Sequence, residues 1–254
     1  MTWLDSKTEK LNFPQDHWWH SEKMIEWIYF FGRLENGKFF HYAEFLFGPN
    51  QVKRNMVHYS LDGEFFEEVD SFFEKRKCRG GYAGKQFFFN TPKLGITFIP
   101  ISKPIIHKTN PGRNYYSIPR LEGEGFLYPD KKIKATGWFD HELSEFQGLP
   151  NWEWLGINLR CGLDIMAFSS EGESLCDVTL DGTTFETDFI IDGHHLFLYE
   201  PGMYLTLNPI QDEKIFDPKV GIKYSEQPFE VISKGGVIGY GMREKTYHKK
   251  KEKE

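Results

Sequence analysis

The chain has 254 residues, of which 39% are hydrophobic and 27% charged, and this composition is typical of neither a disordered nor a membrane protein. Its formal net charge is -6 and no basic stripe is visible, which argues against nucleic acid as a partner. Aromatic residues make up 17% of the chain. Because aromatic rings suit pleated strands and bury large areas, this content favours β structure.

The first part of the chain predicts a lead-in loop followed by a series of short strands. Residues 1–25 show no clear periodicity, and no basic region followed by an apolar run opens the chain, so no signal peptide is visible and a cytoplasmic location is expected. From residue 26 onward, β-rich runs follow one another. Asn36-Gly37 and Asp62-Gly63 separate such runs, and these dipeptides are strong hairpin signals.

A segment with prolines and a glycine divides the chain into two similar parts. Pro104, Pro111 and Gly112 predict a domain junction, with a first barrel and its lead-in loop over 1–112 and a second barrel with a charged tail over 113–254. Each part contains short runs at spacings of roughly 8–12 residues with turn signals between them, which indicates a sandwich or barrel. The predicted fold class is therefore all-β, with two antiparallel β-barrels in tandem, each with room for one small ligand.

A first cluster of chemically active residues lies where the strands begin. His17 and His20 could bind a metal, but a third clear ligand is lacking, so we expect them at a barrel mouth instead. Glu26 interrupts an otherwise apolar strand beside Trp27 and Tyr29. Because burial favours the protonated form of a carboxyl group, Glu26 is a candidate proton donor.

A second cluster lies at residues 137–142. On a strand, Trp138, Asp140 and Glu142 share one face, while Phe139 and His141 share the other. Two neighbouring carboxylates compete for ionisation, so one of them keeps its proton more readily and suits general-acid catalysis.

Tryptophans accompany this second cluster, both within it and after the following loop, at Trp152 and Trp154. Indole and phenol rings stabilise a developing carbocation by cation–π attraction. An acid, an aromatic wall and little water are what protonation of an alkene requires. A buried hydrogen-bond network that ties strand to loop is the alternative interpretation of the same residues.

These clusters resemble the AttH-like and carotenoid 1,2-hydratase (hydroxyneurosporene synthase) family. The stretch FPQDH at 13–17, His20 and EWIYFFGRL at 26–34 are similar to the family's opening FPxDH–H–EWWY–GxL pattern. The stretch GWFDHE at 137–142 and WEW at 152–154 are similar to its GxWxDxE and WDW segments, and Gly239-Tyr240-Gly241 loosely matches its closing region. The order and spacing of these segments cover nearly the whole chain.

The resemblance implies two lipocalin-like barrels in tandem, with ligand space within or between them. The family and its relatives include carotenoid hydratases, lipocalin-like cyclases and Diels–Alderases. By this similarity, Asp140 and His141 are the best candidate catalytic pair, supported by Trp138, Glu142 and Glu26. The sequence departs from the family at Ile28, which replaces the second Trp of EWWY, and at Leu143-Ser144, which replace the usual Trp-Gly, and the chain is shorter. These departures argue against a long carotenoid and leave a smaller isoprenoid or polyene open.

The leading hypothesis is a hydratase or cyclase that protonates an alkene in an apolar, unsaturated, isoprenoid-like small molecule. Asp140 is the first candidate acid, and Glu26 or Glu142 the second. This chemistry requires no metal or organic cofactor, so the enzyme would be a cofactor-independent hydro-lyase or isoprenoid cyclase. The residues expected to bind substrate are Trp138, Trp154, Trp152, Trp27, Tyr29, His17 and His20.

Two alternatives stay open at this stage. One is a cofactor-free pericyclase, in which the shape of the pocket folds a polyene into a reactive conformer. The other is a non-catalytic lipid- or isoprenoid-binding protein, because fold alone does not decide function. The charged tail is expected to be solvated, with peripheral membrane contact as the less favoured alternative.

Overall fold

The chain forms two compact β units, Met1–Phe146 and Gln147–Glu254. The computed structural model describes residues 25–47, 54–71, 78–83, 85–109, 113–144, 151–216 and 222–248. These residues contain strands and turns without a helix, so the all-β prediction is confirmed. Within the same ranges, no helix has the length and apolar character needed to cross a membrane.

The first unit contains ten antiparallel strands in one sheet. They are β1 (Ile25–Leu34), β2 (Phe39–Phe47), β3 (Arg54–Leu61), β4 (Glu64–Ser71), β5 (Arg79–Ala83), β6 (Gln86–Asn90), β7 (Leu94–Pro100), β8 (Ile105–Ile106), β9 (Arg113–Leu127) and β10 (Lys131–Ser144). Their order is β4-β3-β2-β1-β10-β9-β7-β6-β5, and β8 pairs with β9 beside this path. The sheet is therefore a meander in which the last strand, β10, pairs with the first.

This sheet curls around an aromatic core. The backbone N–H of Gly80 in β5 donates to the Glu44 carboxylate in β2, at 3.0 Å, which links strands from the two sides of the sheet. Inside, Phe139 lies 4.8 Å from Phe30 and 4.6 Å from Phe87, measured between ring centroids. Buried rings therefore fill this part of the barrel interior.

The second unit repeats the arrangement with a more aliphatic core. Its strands are β11 (Trp152–Leu159), β12 (Leu163–Ser170), β13 (Glu173–Leu180), β14 (Thr183–Glu186), β15 (Phe189–Asp192), β16 (His195–Leu198), β17 (Met203–Pro209), β18 (Lys214–Phe216), β19 (Ile222–Ser233) and β20 (Gly236–His248). Their order is β14-β13-β12-β11-β20-β19-β17-β16-β15, with β18 on β19. Leu155, Ile157, Ile165, Val178 and Val231 belong to the core of this unit. The predicted pair of antiparallel barrels along the chain is confirmed.

The predicted junction between 1–112 and 113–254 needs correction, because the division falls after Phe146. Strand β9 pairs with β7, and β10 pairs with β1, so both strands complete the first sheet. The proline-containing segment at 103–112 is thus a connection within one unit. Prolines and glycines mark irregular backbone, but they do not tell which sheet the next strand joins.

Two other predictions concern parts of the chain that lie outside the described residues. These are the lead-in loop, apart from Ile25, which begins β1, and the charged tail beyond His248. Gly80 lies in strand β5, which pairs with β6 over its whole length.

Candidate active site

Strand β10 presents its side chains alternately to the two faces of the first sheet. Phe139 and Leu143 belong to the aromatic core, and we call their side the inner face. Asp140 lies on the opposite side, the outer face, where it accepts a hydrogen bond from Nε1 of Trp138 at 2.7 Å. Asp140 is nevertheless only 4% exposed, so both faces of β10 are buried at this level.

Neutral donors surround the carboxylate of Asp140. Ser117, directly opposite on β9, donates its hydroxyl to Oδ1 in a very short hydrogen bond. The hydroxyl of Tyr115 also hydrogen-bonds to this carboxylate. His107, after β8, lies 2.7 Å from the Ser117 Oγ through its Nε2. We call Asp140, Trp138, Tyr115, Ser117 and His107 the Asp140 cluster.

Burial raises the pKa of Asp140 from 3.8 to about 7. The hydrogen bonds from Ser117, Trp138 and Tyr115 oppose this rise, because they favour the charged form. The charge of Glu142 acts in the same direction as burial. A carboxyl group with a pKa near the ambient pH is suited to give and regain a proton.

Glu142, two residues along β10, has a different partner. The guanidinium of Arg113 donates to both of its oxygens, at 2.5 and 2.8 Å, and Ser144 donates at 2.6 Å. A bidentate guanidinium neutralises a buried carboxylate and fixes its orientation. The structure therefore pairs Glu142 with Arg113 and holds it in one orientation beside Asp140.

The inner face holds the second acidic candidate. Nε2 of His141 lies 2.7 Å from Oε1 of Glu26 in β1, and its Nδ1 lies 3.3 Å from the Tyr116 hydroxyl. All three side chains have no exposed surface. The structure thus pairs His141 with Glu26 and separates it from Asp140, so the pair implied by the family resemblance is divided between two faces.

The predicted aromatic residues are also divided, between the outer face of the first unit and the second unit. Tyr29 lies opposite Asp140 and Trp27 opposite Glu142 in the pairing of β1 with β10, which puts both on the outer face. Phe31 stacks on Trp138 with ring centroids 5.8 Å apart. These rings give the outer face the aromatic character expected beside the acid.

The remaining predicted residues lie elsewhere. Trp152 and Trp154 are buried on β11 of the second unit. His17 and His20 lie outside the described residues. Among the residues that the structure does describe, no group of three or more His, Cys, Asp or Glu side chains could hold a metal ion. The ligand-sized hollow expected beside Asp140 stays a prediction.

Four side chains around Asp140 and Glu142 were not predicted from the sequence, namely His107, Arg113, Tyr115 and Ser117. The last three occupy alternate positions of β9, so a strand period was present in the sequence. That these polar residues lie beside the carboxyl groups follows only from the strand register, which sets Ser117 against Asp140 and Tyr115 against Glu142. His107 lies on no long strand and carries no such signal.

Two curled antiparallel sheets along one chain are a tandem lipocalin-like architecture. No protein-family profile matches the chain, and no curated protein matches it. Among solved structures, a candidate AttH from Nitrosomonas europaea is similar, with a TM-score of 0.72, 19% identity, and coverage of 96% of this chain and 98% of that one. The fold is therefore that of AttH-like, lipocalin-like proteins, as the sequence resemblance implied.

Two further solved structures share the fold at lower similarity. Kievitone hydratase from Nectria haematococca matches with a TM-score of 0.55 and 12% identity, over 88% of each chain. CghA in complex with Sch210972 matches with a TM-score of 0.57 and 12% identity, over 89% of each chain. At these identities the likeness establishes the architecture of the chain.

Proposed function

We propose that this protein is an enzyme that protonates an alkene of an apolar, unsaturated, isoprenoid-like molecule and so acts as a hydratase or cyclase. The observation that carries this proposal is the carboxyl group of Asp140, which is buried against Trp138 with a pKa of about 7. Half of such groups hold a proton at neutral pH, which makes Asp140 a usable acid under ordinary conditions.

The reaction begins when Asp140 gives its proton to the alkene. The π electrons form a new C–H bond, a carbocation remains on the neighbouring carbon, and Asp140 becomes a carboxylate. Trp138 and Tyr29 offer electron-rich rings on the same face, and such rings stabilise a cation. Water that captures the cation gives a protonated alcohol, which loses a proton to solvent and becomes the alcohol. A second alkene of the same molecule that captures the cation closes a ring and leaves a new cation, which ends the reaction by losing a proton or by capturing water.

The neighbours of Asp140 suit this role. Hydrogen bonds from Ser117 and Trp138 hold the carboxyl group in one orientation and stabilise the carboxylate that remains after proton transfer. Glu142, held by the guanidinium of Arg113, keeps a fixed orientation beside Asp140. No step of this scheme calls for a metal or an organic cofactor.

The shared fold supports hydration as one outcome. The name kievitone hydratase states that a protein of this architecture adds water to a small molecule. CghA in complex with Sch210972 further supports a small organic molecule as the ligand class. The substrate class proposed here rests on the aromatic outer face and on the acid.

Asp140→Asn tests the proposal directly. Farnesol and squalene serve as probe alkenes in water enriched in ¹⁸O, and mass spectrometry detects labelled alcohols and cyclised isomers. We expect product from the wild-type protein and a loss of about 10²–10⁴-fold in the variant, the usual contribution of a general acid. Asp177→Asn is the matched control, because Asp177 is equally buried, at 4% exposure, but lies in the second unit.

Two results would oppose the proposal. Undiminished turnover by a folded Asp140→Asn protein would remove Asp140 as the acid and favour a shape-driven pericyclic reaction. Failure of the wild-type protein to convert either alkene would contradict the isoprenoid substrate class.

A further inference from the structure

A continuous chain of hydrogen bonds leads from His107 to Asp140. Nε2 of His107 lies 2.7 Å from Oγ of Ser117, and the same hydroxyl donates to Oδ1 of Asp140. The hydroxyl of Ser117 thus connects an imidazole with a carboxyl group. A hydroxyl in this position can accept one proton while it releases another.

The fold holds this chain in place. Ser117 is fully buried in the first half of β9, and its partner Asp140 lies directly opposite on β10. His107 is 4% exposed, and its backbone N–H donates to the carbonyl of Tyr115 at 3.0 Å. Its ring lies 4.3 Å from the ring of Tyr115. The strand pairing, the backbone hydrogen bond and the ring contact therefore hold the three groups in sequence.

An acid that acts repeatedly must regain its proton. After it protonates an alkene, Asp140 is a carboxylate at a site shielded from bulk water, next to the carboxylate of Glu142 and beneath an apolar product. Tyr115 and Trp138 can stabilise this carboxylate, but an indole and a phenol are too weakly acidic to restore its proton at neutral pH. Imidazole is the side chain best suited to supply it.

We propose that His107 and Ser117 relay protons to Asp140 and restore its acid form after each turnover. This inference rests on the function proposed above. His107 takes up at Nδ1 a proton equivalent to the one that the added water releases. The N–H bond at Nε2 then breaks, its electron pair stays on nitrogen, and the proton moves to Oγ of Ser117. The original hydroxyl proton of Ser117 passes to the carboxylate of Asp140.

A second histidine–serine pair on the same face provides the matched control. Nδ1 of His41 lies 2.6 Å from Oγ of Ser60, and both side chains are buried. Burial lowers the pKa of His41 well below its ordinary value. Within the described ranges, Ser60 has no hydrogen bond to a carboxylate. Ser60→Ala removes the same kind of bond as Ser117→Ala without touching the relay.

The test follows the re-protonation of Asp140 in the absence of substrate. A light flash releases protons from a caged compound and lowers the pH. For each variant, the final pH lies the same distance below the titration midpoint of Asp140 in that variant. The infrared carbonyl band of the protonated carboxyl, assigned by its absence in Asp140→Asn, reports the rate. We expect re-protonation at least about tenfold slower in Ser117→Ala and in His107→Gln, whose amide donates to Ser117 but cannot relay.

Ser117→Thr, which keeps the hydroxyl, is expected to retain the fast rate, as is Ser60→Ala. A wild-type rate in either Ser117→Ala or His107→Gln would overturn the relay, and the comparison of Ser117→Ala with Ser117→Thr stands even if His107→Gln does not fold. Because no alkene is present, an incorrect proposal about alkene protonation would leave these rates unchanged and would be detected only in the turnover of Asp140→Asn.

Discussion

The two faces of strand β10 carry similar ionisable residues in opposite settings. On the inner face, Glu26 and His141 are bonded to each other, so an acid and a base satisfy one another within an aromatic core. On the outer face, Asp140 receives hydrogen bonds from uncharged groups, among them Trp138 and Ser117. The two buried carboxyl groups therefore differ in their partners, which are an imidazole for Glu26 and uncharged donors for Asp140, whose pKa burial raises to about 7. This setting is what suits Asp140 to the proposed role of proton donor.

Loss of the ion pair beside Asp140 has the largest expected effect on stability. Arg113→Met leaves the buried carboxylate of Glu142 without its guanidinium, and we expect the free energy of unfolding in urea to fall by about 3–5 kcal/mol. Adding Glu142→Met to the same chain removes the stranded charge and is expected to recover most of the loss. Equal losses in the single and double variants would show that Arg113 acts through packing alone.

Removal of the acid is expected to stabilise the protein at alkaline pH. The folded-state pKa of Asp140, about 7, lies above its ordinary value of 3.8, so its proton stabilises the fold at low pH and this contribution is lost as the pH rises through 7. Asp140→Asn is therefore expected to raise the free energy of unfolding at pH 8 by about 2–4 kcal/mol, and by less at pH 5. Urea unfolding at both pH values measures this difference, and an equal effect at both would refute the raised pKa.

Two adjacent tyrosines lie on opposite faces, so their substitution compares the two faces with the smallest chemical change. Tyr115 hydrogen-bonds to Asp140 on the outer face, whereas Tyr116 lies beside His141 on the inner face. Tyr115→Phe removes a donor to the carboxylate and is expected to raise the pKa of Asp140 further, by about one unit. Tyr116→Phe is the control and should leave that pKa unchanged. Infrared titration compares them, and equal shifts would contradict the separation of the two faces.

Local signals in the sequence were sufficient for much of the fold. Asn36-Gly37 lies in the turn between β1 and β2, and Gly37 has the positive φ of 87° that such a turn needs. Strand alternation likewise places Asp140 and His141 on opposite sides. The domain boundary failed because the pairing of β10 with β1 joins segments about a hundred residues apart, and no local pattern encodes that contact.

The candidate site was predictable only in part, for the same reason. Asp140, Trp138 and Glu142 lie on one strand, where period-two spacing already groups them. Arg113 and Ser117 come from the neighbouring strand, whose register changes at an irregularity opposite residues 137–139. The contact of Glu26 with His141 spans 115 positions. These partners, which decide how each carboxyl group behaves, follow from tertiary structure.

A direct titration of Asp140 tests the central claim. The protein is labelled with ¹³C at aspartate side chains, the signal of Asp140 is assigned by its loss in Asp140→Asn, and its chemical shift is followed from acid to alkaline pH. We expect a midpoint near pH 7, as the pKa of about 7 requires. A midpoint close to the ordinary aspartate value of 3.8 would mean that Asp140 carries no proton to give at neutral pH.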